Sequence, residues 1–191
     1  MSYVDYPLAP EHTVDDTVPM VVDAWQQVVA SAGGPVDLAG DSAGGGLALV
    51  LLQRLRDLGL PMPHRSVLLS PWVDLVLDDP ETLSEAPRDP VLSLLGLRGA
   101  ARLYAGERDL ADPWLSPLNG DLRGLGPMQA WVGTREMFLP QCRLLADRAA
   151  TASGTDLTLH LGHGLVHDWA LFPMPERELL VDAMLDYLGQ P

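Results

Sequence analysis

The sequence predicts an α/β fold, a mostly parallel sheet flanked by helices. Three observations carry this expectation. Short apolar runs alternate with stretches of helical periodicity, the pattern of βαβ units. One such run, Val36 to Ala39, leads through Gly40-Asp41-Ser42-Ala43-Gly44 into an almost wholly apolar helical stretch. The 191 residues are 47% hydrophobic and 20% charged, enough for a substantial core and far from the composition of a disordered chain. No repeat, low-complexity tract or long linker divides the chain, so residues 1–191 are expected to form one domain.

The elements follow in order. Ser2 to Asp5 reads as a short strand, and Pro7, Pro10 and the polar stretch to Asp16 as a connection. Val18, Val21, Val22, Trp25, Val28 and Val29 recur at helical spacing, with Pro19 expected in the first turn and Gly33-Gly34 ending the helix. Val36 to Ala39 is a strand. Ala43 to Leu58 is helical and apolar for two turns, hence buried. Ser66 to Leu69 is the next strand. Residues 78–126 are rich in Pro, Gly and Asp, with a helical piece from Leu94 to Tyr104. Met128 to Val132 is a strand. Phe138, Cys142, Leu145 and Ala149 line one helix face, Leu157, Leu159 and Leu161 alternate as a strand, and Pro175 to Leu188 is a final amphipathic helix.

Composition excludes several roles. The net charge of −14 offers no excess of cations to nucleic acid or to an anionic membrane surface. No apolar run approaches the roughly 20 residues that span a bilayer, and no charged-then-apolar leader follows Met1. One Cys excludes an internal disulfide framework and leaves cytoplasm as the default compartment. The chain has no Lys and no Ile, and one Asn. These types share AT-rich codons, so a GC-rich genome accounts for them together. Salt adaptation would also disfavour Lys but would not remove Ile from a core. The charge therefore speaks to solubility more than to substrate, and the oligomeric state is left open.

Gly40-x-Ser42-x-Gly44 between a strand and a helix is the context of a nucleophile elbow. The turn is sharp, and small residues are expected at Gly40 and Gly44 because a Cβ there would meet the adjacent strand or helix. The serine oxygen then stands clear of the sheet at a helix N-terminus, where the dipole and free N–H groups favour developing negative charge. The competing reading is a glycine-rich turn with a capping serine.

Gly40-Asp41-Ser42-Ala43-Gly44-Gly45 resembles the signature of the hormone-sensitive-lipase group of α/β-hydrolases. Asp5-Tyr6-Pro7-Leu8-Ala9-Pro10-Glu11-His12 is similar to the family segment ahead of that serine. Ser70-Pro71-Trp72-Val73-Asp74-Leu75 and Arg88-Asp89-Pro90-Val91-Leu92-Ser93 resemble later family blocks. The resemblance runs over nearly all of the chain and implies an α/β-hydrolase fold. It also implies a serine carboxylesterase acting on small-molecule, short acyl esters with no metal or organic cofactor. In this fold the triad follows the chain order serine, acid, histidine.

Val132-Gly133-Thr134-Arg135-Glu136 supplies a strand end, a glycine turn and a carboxylate, and by resemblance Glu136 is the acid. Its role would be to accept the imidazole N–H. The competing reading is a surface Glu beside Arg135, and Asp147 and Asp168 are the other carboxylates weighed. Three downstream histidines are candidates for the base: His160 in the last strand pattern, His163 between two glycines, and His167. Gly164-Leu165-Val166-His167-Asp168-Trp169 best resembles the family loop, so His167 is the implied base. A metal site from the three histidines matches no familiar zinc spacing. His12 and His64 read as surface residues, Cys142 as a small core residue rather than a reactive thiol, and the Trp and Met residues as core or pocket lining.

The family carries a His-Gly-Gly run upstream whose N–H groups build most of the oxyanion hole, and no such run occurs in this sequence. Ala43 N–H is the one oxyanion donor the pattern supplies. The expectation is of a truncated α/β-hydrolase domain lacking the first strands and the N-terminal cap, with Ser2 to Asp5 forced to pair with Val36 to Ala39 or to fray. Two alternatives to the esterase stand beside it: a catalytically impaired fragment without its oxyanion loop, and an amidase or peptidase on the same fold.

Overall fold

The structure is a computed structural model that describes residues 1–189. Four strands form one sheet in the order β1 (Leu38–Asp41), β2 (Ser66–Leu69), β3 (Gly126–Gly133) and β4 (Thr155–Gly162). Every pairing is parallel, with Asp41 opposite Leu69, Ser66 opposite Met128, and Gly133 opposite Gly162. Helix α1 (Val14–Ser31) precedes the sheet, and α2 (Ser42–Asp57) crosses from β1 to β2. Between β2 and β3 lie α3 (Pro80–Glu85), α4 (Leu94–Ala105) and much irregular chain. Helix α5 (Leu139–Ala149) joins β3 to β4, and α6 (Pro175–Leu188) follows β4.

The two-residue period of the strands sorts their side chains between two faces. Leu68 and Ala130 pack with Ala48 of α2, while Leu69 and Trp131 pack with Trp169 and with Leu180 of α6. Leu49 and Leu52 of α2 meet Met128, Leu145 and the irregular chain at Leu118, Leu122 and Leu125. On its other side α2 receives Val21, Val22 and Trp25 of α1 through Leu51 and Leu55. The all-round apolar character of α2 follows from this double packing.

Several expectations change. Ser2 to Asp5 forms no strand and is exposed, with Tyr3 84% accessible, which is the frayed one of the two outcomes expected. The outer edge of β1 has no partner among the described residues, and an extended segment without ladder bonds has nothing to hold it. Strand β1 starts at Leu38 rather than Val36. Helix α1 starts a turn earlier than its valine pattern suggests, because Asp16 reaches back to accept from Thr13 N–H at 3.0 Å. Pro19 therefore lies inside the helix rather than in its first turn. Helix α6 has its expected bounds but is weakly amphipathic: Leu180 is buried, whereas Leu179 and Leu185 are 72% and 62% exposed.

The close approach expected at the elbow also moves. A Cβ on Gly40 would collide with the Gly44 carbonyl, as predicted, but one on Gly44 would meet open space. Gly45 and Gly46 are the tight positions: a Cβ on Gly45 would sit 2.9 Å from Pro71 Cβ, and one on Gly46 would strike the Trp72 carbonyl oxygen. These glycines let α2 lie against the chain leaving β2. Gly46→Ala is expected to lower stability by about 1–3 kcal/mol. Gly44→Ala should leave stability unchanged or raise it by up to about 1 kcal/mol through helix propensity. Urea unfolding midpoints of the two variants check the contrast.

Candidate active site

Each parallel strand delivers one polar group at its C-terminal end, the end at which open α/β sheets bind ligands. Strand β1 runs directly into Ser42, which holds φ 50°, a left-handed conformation unusual outside glycine. Trp72 N–H donates to the Ser42 carbonyl at 2.9 Å and ties the elbow to the chain beyond β2. Strand β2 leads directly into Ser70, which holds φ 39°. Strand β3 ends at Gly133, and a turn brings Glu136 back beneath it. A Cβ on Gly133 would strike the Leu165 carbonyl, so the turn after β3 and the loop after β4 lie directly against each other. Arg135 N–H donates to the Leu165 carbonyl at 2.9 Å, and Gly164 N–H to Thr134 Oγ1 at 2.8 Å. That loop presents His167.

The structure brings Ser42, His167 and Glu136 together. Ser42 Oγ lies 2.8 Å from His167 Nε2, and His167 Nδ1 lies 2.7 Å from Glu136 Oε2. In the neutral ring the carboxylate on Nδ1 selects the tautomer with its proton there, leaving Nε2 free to accept from the serine. Glu136 and His167 are 2% and 3% exposed. The other carboxylate oxygen, Oε1, accepts from Gly133 N–H at 2.6 Å and from Ser70 Oγ at 2.7 Å. Phe138 sets its ring edge-on to the imidazole with 5.2 Å between centroids, and Trp72 stacks on Phe138 at 5.7 Å. Ala43 N–H lies in the first turn of α2, where no intrahelical acceptor reaches it.

A family model described as alpha/beta hydrolase fold matches residues 1–171. The chain is 36% identical over 166 residues to an acetyl-hydrolase of Streptomyces hygroscopicus, covering 86% of this chain and 55% of that protein. It is 33% identical over 175 residues to an esterase of Acinetobacter venetianus, covering 89% and 57%. A solved esterase from the bacterial hormone-sensitive lipase family superposes with a TM-score of 0.91 at 35% identity, covering 96% of this chain and 63% of that one. The hormone-sensitive-lipase homologue EstE7, from a metagenome library, gives 0.92 at 32% identity, covering 97% and 65%. The chain belongs to the α/β-hydrolase fold family and is similar to structures of its hormone-sensitive-lipase group. It spans little more than half the length of those two curated relatives.

The remaining candidates occupy other places in the fold. Asp168 lies on the far side of His167 from the position of a triad acid: its Oδ2 is 3.0 Å from Nε2, the nitrogen that faces Ser42. Asp147 is exposed on α5. His160 stacks on Trp131 at 3.9 Å within β4, and His163 is exposed. Among the described residues, no group of three or more His, Cys, Asp and Glu side chains is placed to hold a metal ion. His12 and His64 sit beside Asp16 and Asp37 at 3.7 and 3.4 Å. Cys142 is fully buried in the core, its Sγ 3.7 Å from the Pro71 carbonyl, and burial and the Glu136 charge push the thiol well up, away from a reactive thiolate. Ser70 is the site residue that sequence reasoning missed. Its signal was the Ser70-Pro71-Trp72 block at a strand end, but its reach to Glu136 is a matter of tertiary placement.

The two carboxylates give His167 an unusual basicity. Burial works against the imidazolium, but hydrogen bonds to Asp168 and to Glu136 outweigh it and raise the group from 6.5 to about 9. A raised value means that the protonated ring stabilises the folded state below pH 6.5, and that this contribution is lost as the pH climbs through about 9. Asp41 faces Asp168 across the elbow, and burial and that neighbouring charge push its carboxyl up. Asp168→Asn removes one of the two supports, and Asn tolerates the left-handed φ of 48° at this position. NMR titration of the imidazole C–H resonances should place His167 near 9 in the native chain and clearly lower in Asp168→Asn.

Proposed function

We propose that the chain carries the working centre of a serine carboxylic ester hydrolase with Ser42 as nucleophile, His167 as general base and then acid, and Glu136 as the orienting acid. The single observation that supports this most is the continuous run of contacts from Ser42 Oγ to His167 Nε2 and from Nδ1 to Glu136, at 2.8 and 2.7 Å. Ser42 attacks the ester carbonyl carbon as its proton passes to Nε2 of the neutral ring, the form that gains population as the pH climbs toward about 9. The carbonyl oxygen becomes an oxyanion, to which Ala43 N–H donates within the positive end of α2. The imidazolium then gives its proton to the departing alcohol, leaving an acyl-serine. Water, deprotonated by the same nitrogen, releases the carboxylic acid and restores Ser42.

The substrates proposed are small-molecule esters with short acyl chains. The acetyl-hydrolase among the relatives acts, by its name, on acetyl groups, which supports the short end of that range. A second reading rests on the donor count at the oxyanion. With Ala43 N–H as the donor the elbow provides, a chain short of a further donor turns over about 10²–10³-fold more slowly while keeping a reactive serine.

Hydrolysis of a chromogenic series from acetate to longer acyl esters tests the proposal. Turnover should be highest for the short chains. Ser42→Ala should lower kcat by about 10⁴-fold or more, and Glu136→Gln, which favours the wrong imidazole tautomer, by about 10⁴-fold. Equal turnover by wild type and Ser42→Ala would overturn the assignment. Slow turnover together with stoichiometric fluorophosphonate labelling of Ser42 selects the second reading, and a matched amide substrate separates an esterase from an amidase.

A further inference from the structure

We propose that Ser70 is a positioning residue of this centre, whose hydroxyl sets the rotamer of Glu136 and holds the backbone of the His167 loop at once. The proposal rests on the serine-hydrolase reading above and extends it to a residue outside the triad.

Ser70 is 1% exposed and stands at the first position beyond β2. Its own N–H donates to the Trp131 carbonyl at 2.7 Å, which continues the β2–β3 ladder by one bond. Its Oγ donates to Glu136 Oε1 at 2.7 Å and accepts from Asp168 N–H at 3.1 Å. A hydroxyl has one proton and two lone pairs, so both bonds form together without competition. This one oxygen thereby joins the ends of three strands: its own, the acid turn after β3, and the loop after β4 that carries the base. Glu136 is held from both sides, since Oε1 is fixed by Ser70 and Gly133 while Oε2 is left for His167 Nδ1.

Backbone strain points to the same place. Among the described residues, four that are not glycine hold positive φ: Ser42 at 50°, Ser70 at 39°, Leu77 at 53° and Asp168 at 48°. Three of the four belong to this hydrogen-bonded cluster, and Ser70 and Asp168 are bonded directly to each other. Strained backbone persists where its surroundings over-determine it, and it concentrates at sites that need fixed geometry. A serine that merely filled core space at the end of β2 would need neither the left-handed conformation nor a carboxylate partner.

The consequence is a division of labour that a stability measurement alone does not reveal. Without the hydroxyl, Glu136 keeps Gly133 N–H but loses the bond that stops its carboxylate from turning, and Asp168 N–H loses its acceptor beside the base. His167 then spends less time with Nε2 aligned on Ser42 Oγ. Misplacement on the order of 1 Å costs about 10²-fold in rate.

The test uses the full chain with Ser70→Ala and Ser70→Gly. Both remove the hydroxyl, and glycine adopts φ 39° freely, so Ser70→Gly separates loss of the bond from backbone strain and serves if Ser70→Ala folds poorly. Two readouts are taken on folded protein: the second-order rate of Ser42 labelling by a fluorophosphonate, and the low-field proton resonance of the His167–Glu136 hydrogen bond. Both variants should label about 10–100-fold more slowly, with the resonance shifted or broadened away. Wild-type labelling with an unmoved resonance in a folded variant, whatever its melting temperature, would overturn the role of Ser70. Glu136→Gln and His167→Ala keep the two levels apart. If they label as fast as wild type, the triad reading fails. If they label slowly while the Ser70 variants do not, only the present inference fails. The resonance reports on Ser70 even where labelling is too slow to follow.

Discussion

Glu136 is a carboxylate whose side chain is fully sequestered from solvent, and the architecture around it follows from what a buried charge requires. Taking such a group out of water costs several kcal/mol unless donors and an opposite charge surround it. Here Gly133 N–H, the Ser70 hydroxyl and the His167 ring supply them. These donors come from the ends of β2, β3 and β4, so the arrangement exists only while those strands keep their parallel register, with Gly133 opposite Gly162 and Leu69 opposite Trp131. A one-residue slip of β2 against β3 would turn its side chains to the other face and withdraw Ser70 from the carboxylate.

The elbow depends on a second constraint, the distance between α2 and the chain beyond β2. Gly45 and Gly46 allow that contact, and Trp72 N–H on the Ser42 carbonyl fixes it. The same segment carries Ser70, bonded to Glu136, and Trp72, bonded to the Ser42 carbonyl, so the placement of Glu136 and of Ser42 shares one short stretch, residues 70–72. Phe138, stacked on Trp72 and set edge-on to His167, closes an apolar wall behind the imidazole. That wall strengthens the electrostatic contacts it shields.

The irregular chain between β2 and β3 is tied to the same centre. Asp89 accepts from Met137 N–H at 2.9 Å, directly beside Glu136, and its other oxygen accepts from Val91 and Leu92 N–H at 2.8 and 2.9 Å. The Arg88-Asp89-Pro90 block noted in the sequence thus braces the acid turn from the outside. Elsewhere the strong negative charge is handled locally: Arg108 pairs with Asp15 and Asp112, and Arg123 with Asp121. Of these, the exposed Arg123–Asp121 pair contributes little to stability.

Elements whose signal is local were legible in the sequence. Ser66–Leu69 and Pro175–Leu188 have the bounds that the sequence implies, and the Gly40-to-Gly44 stretch spans the junction of a strand and a helix. Ser42, Glu136 and His167 could each be singled out from chain order and family resemblance. Other features depended on neighbours distant in sequence, and only the tertiary structure decided them. Ser2 to Asp5 has a strand's composition but makes no ladder bonds with the open edge of β1. The tight glycines are Gly45 and Gly46 because Pro71 and Trp72 pack there, which no local pattern encodes. Asp168 lies at Nε2, and Ser70 reaches Glu136 from 66 positions away in the chain. Periodicity and turn chemistry record what each residue does to its own backbone. Which side chains share a buried charge is set by sheet register and helix packing, and those form only when the whole core does.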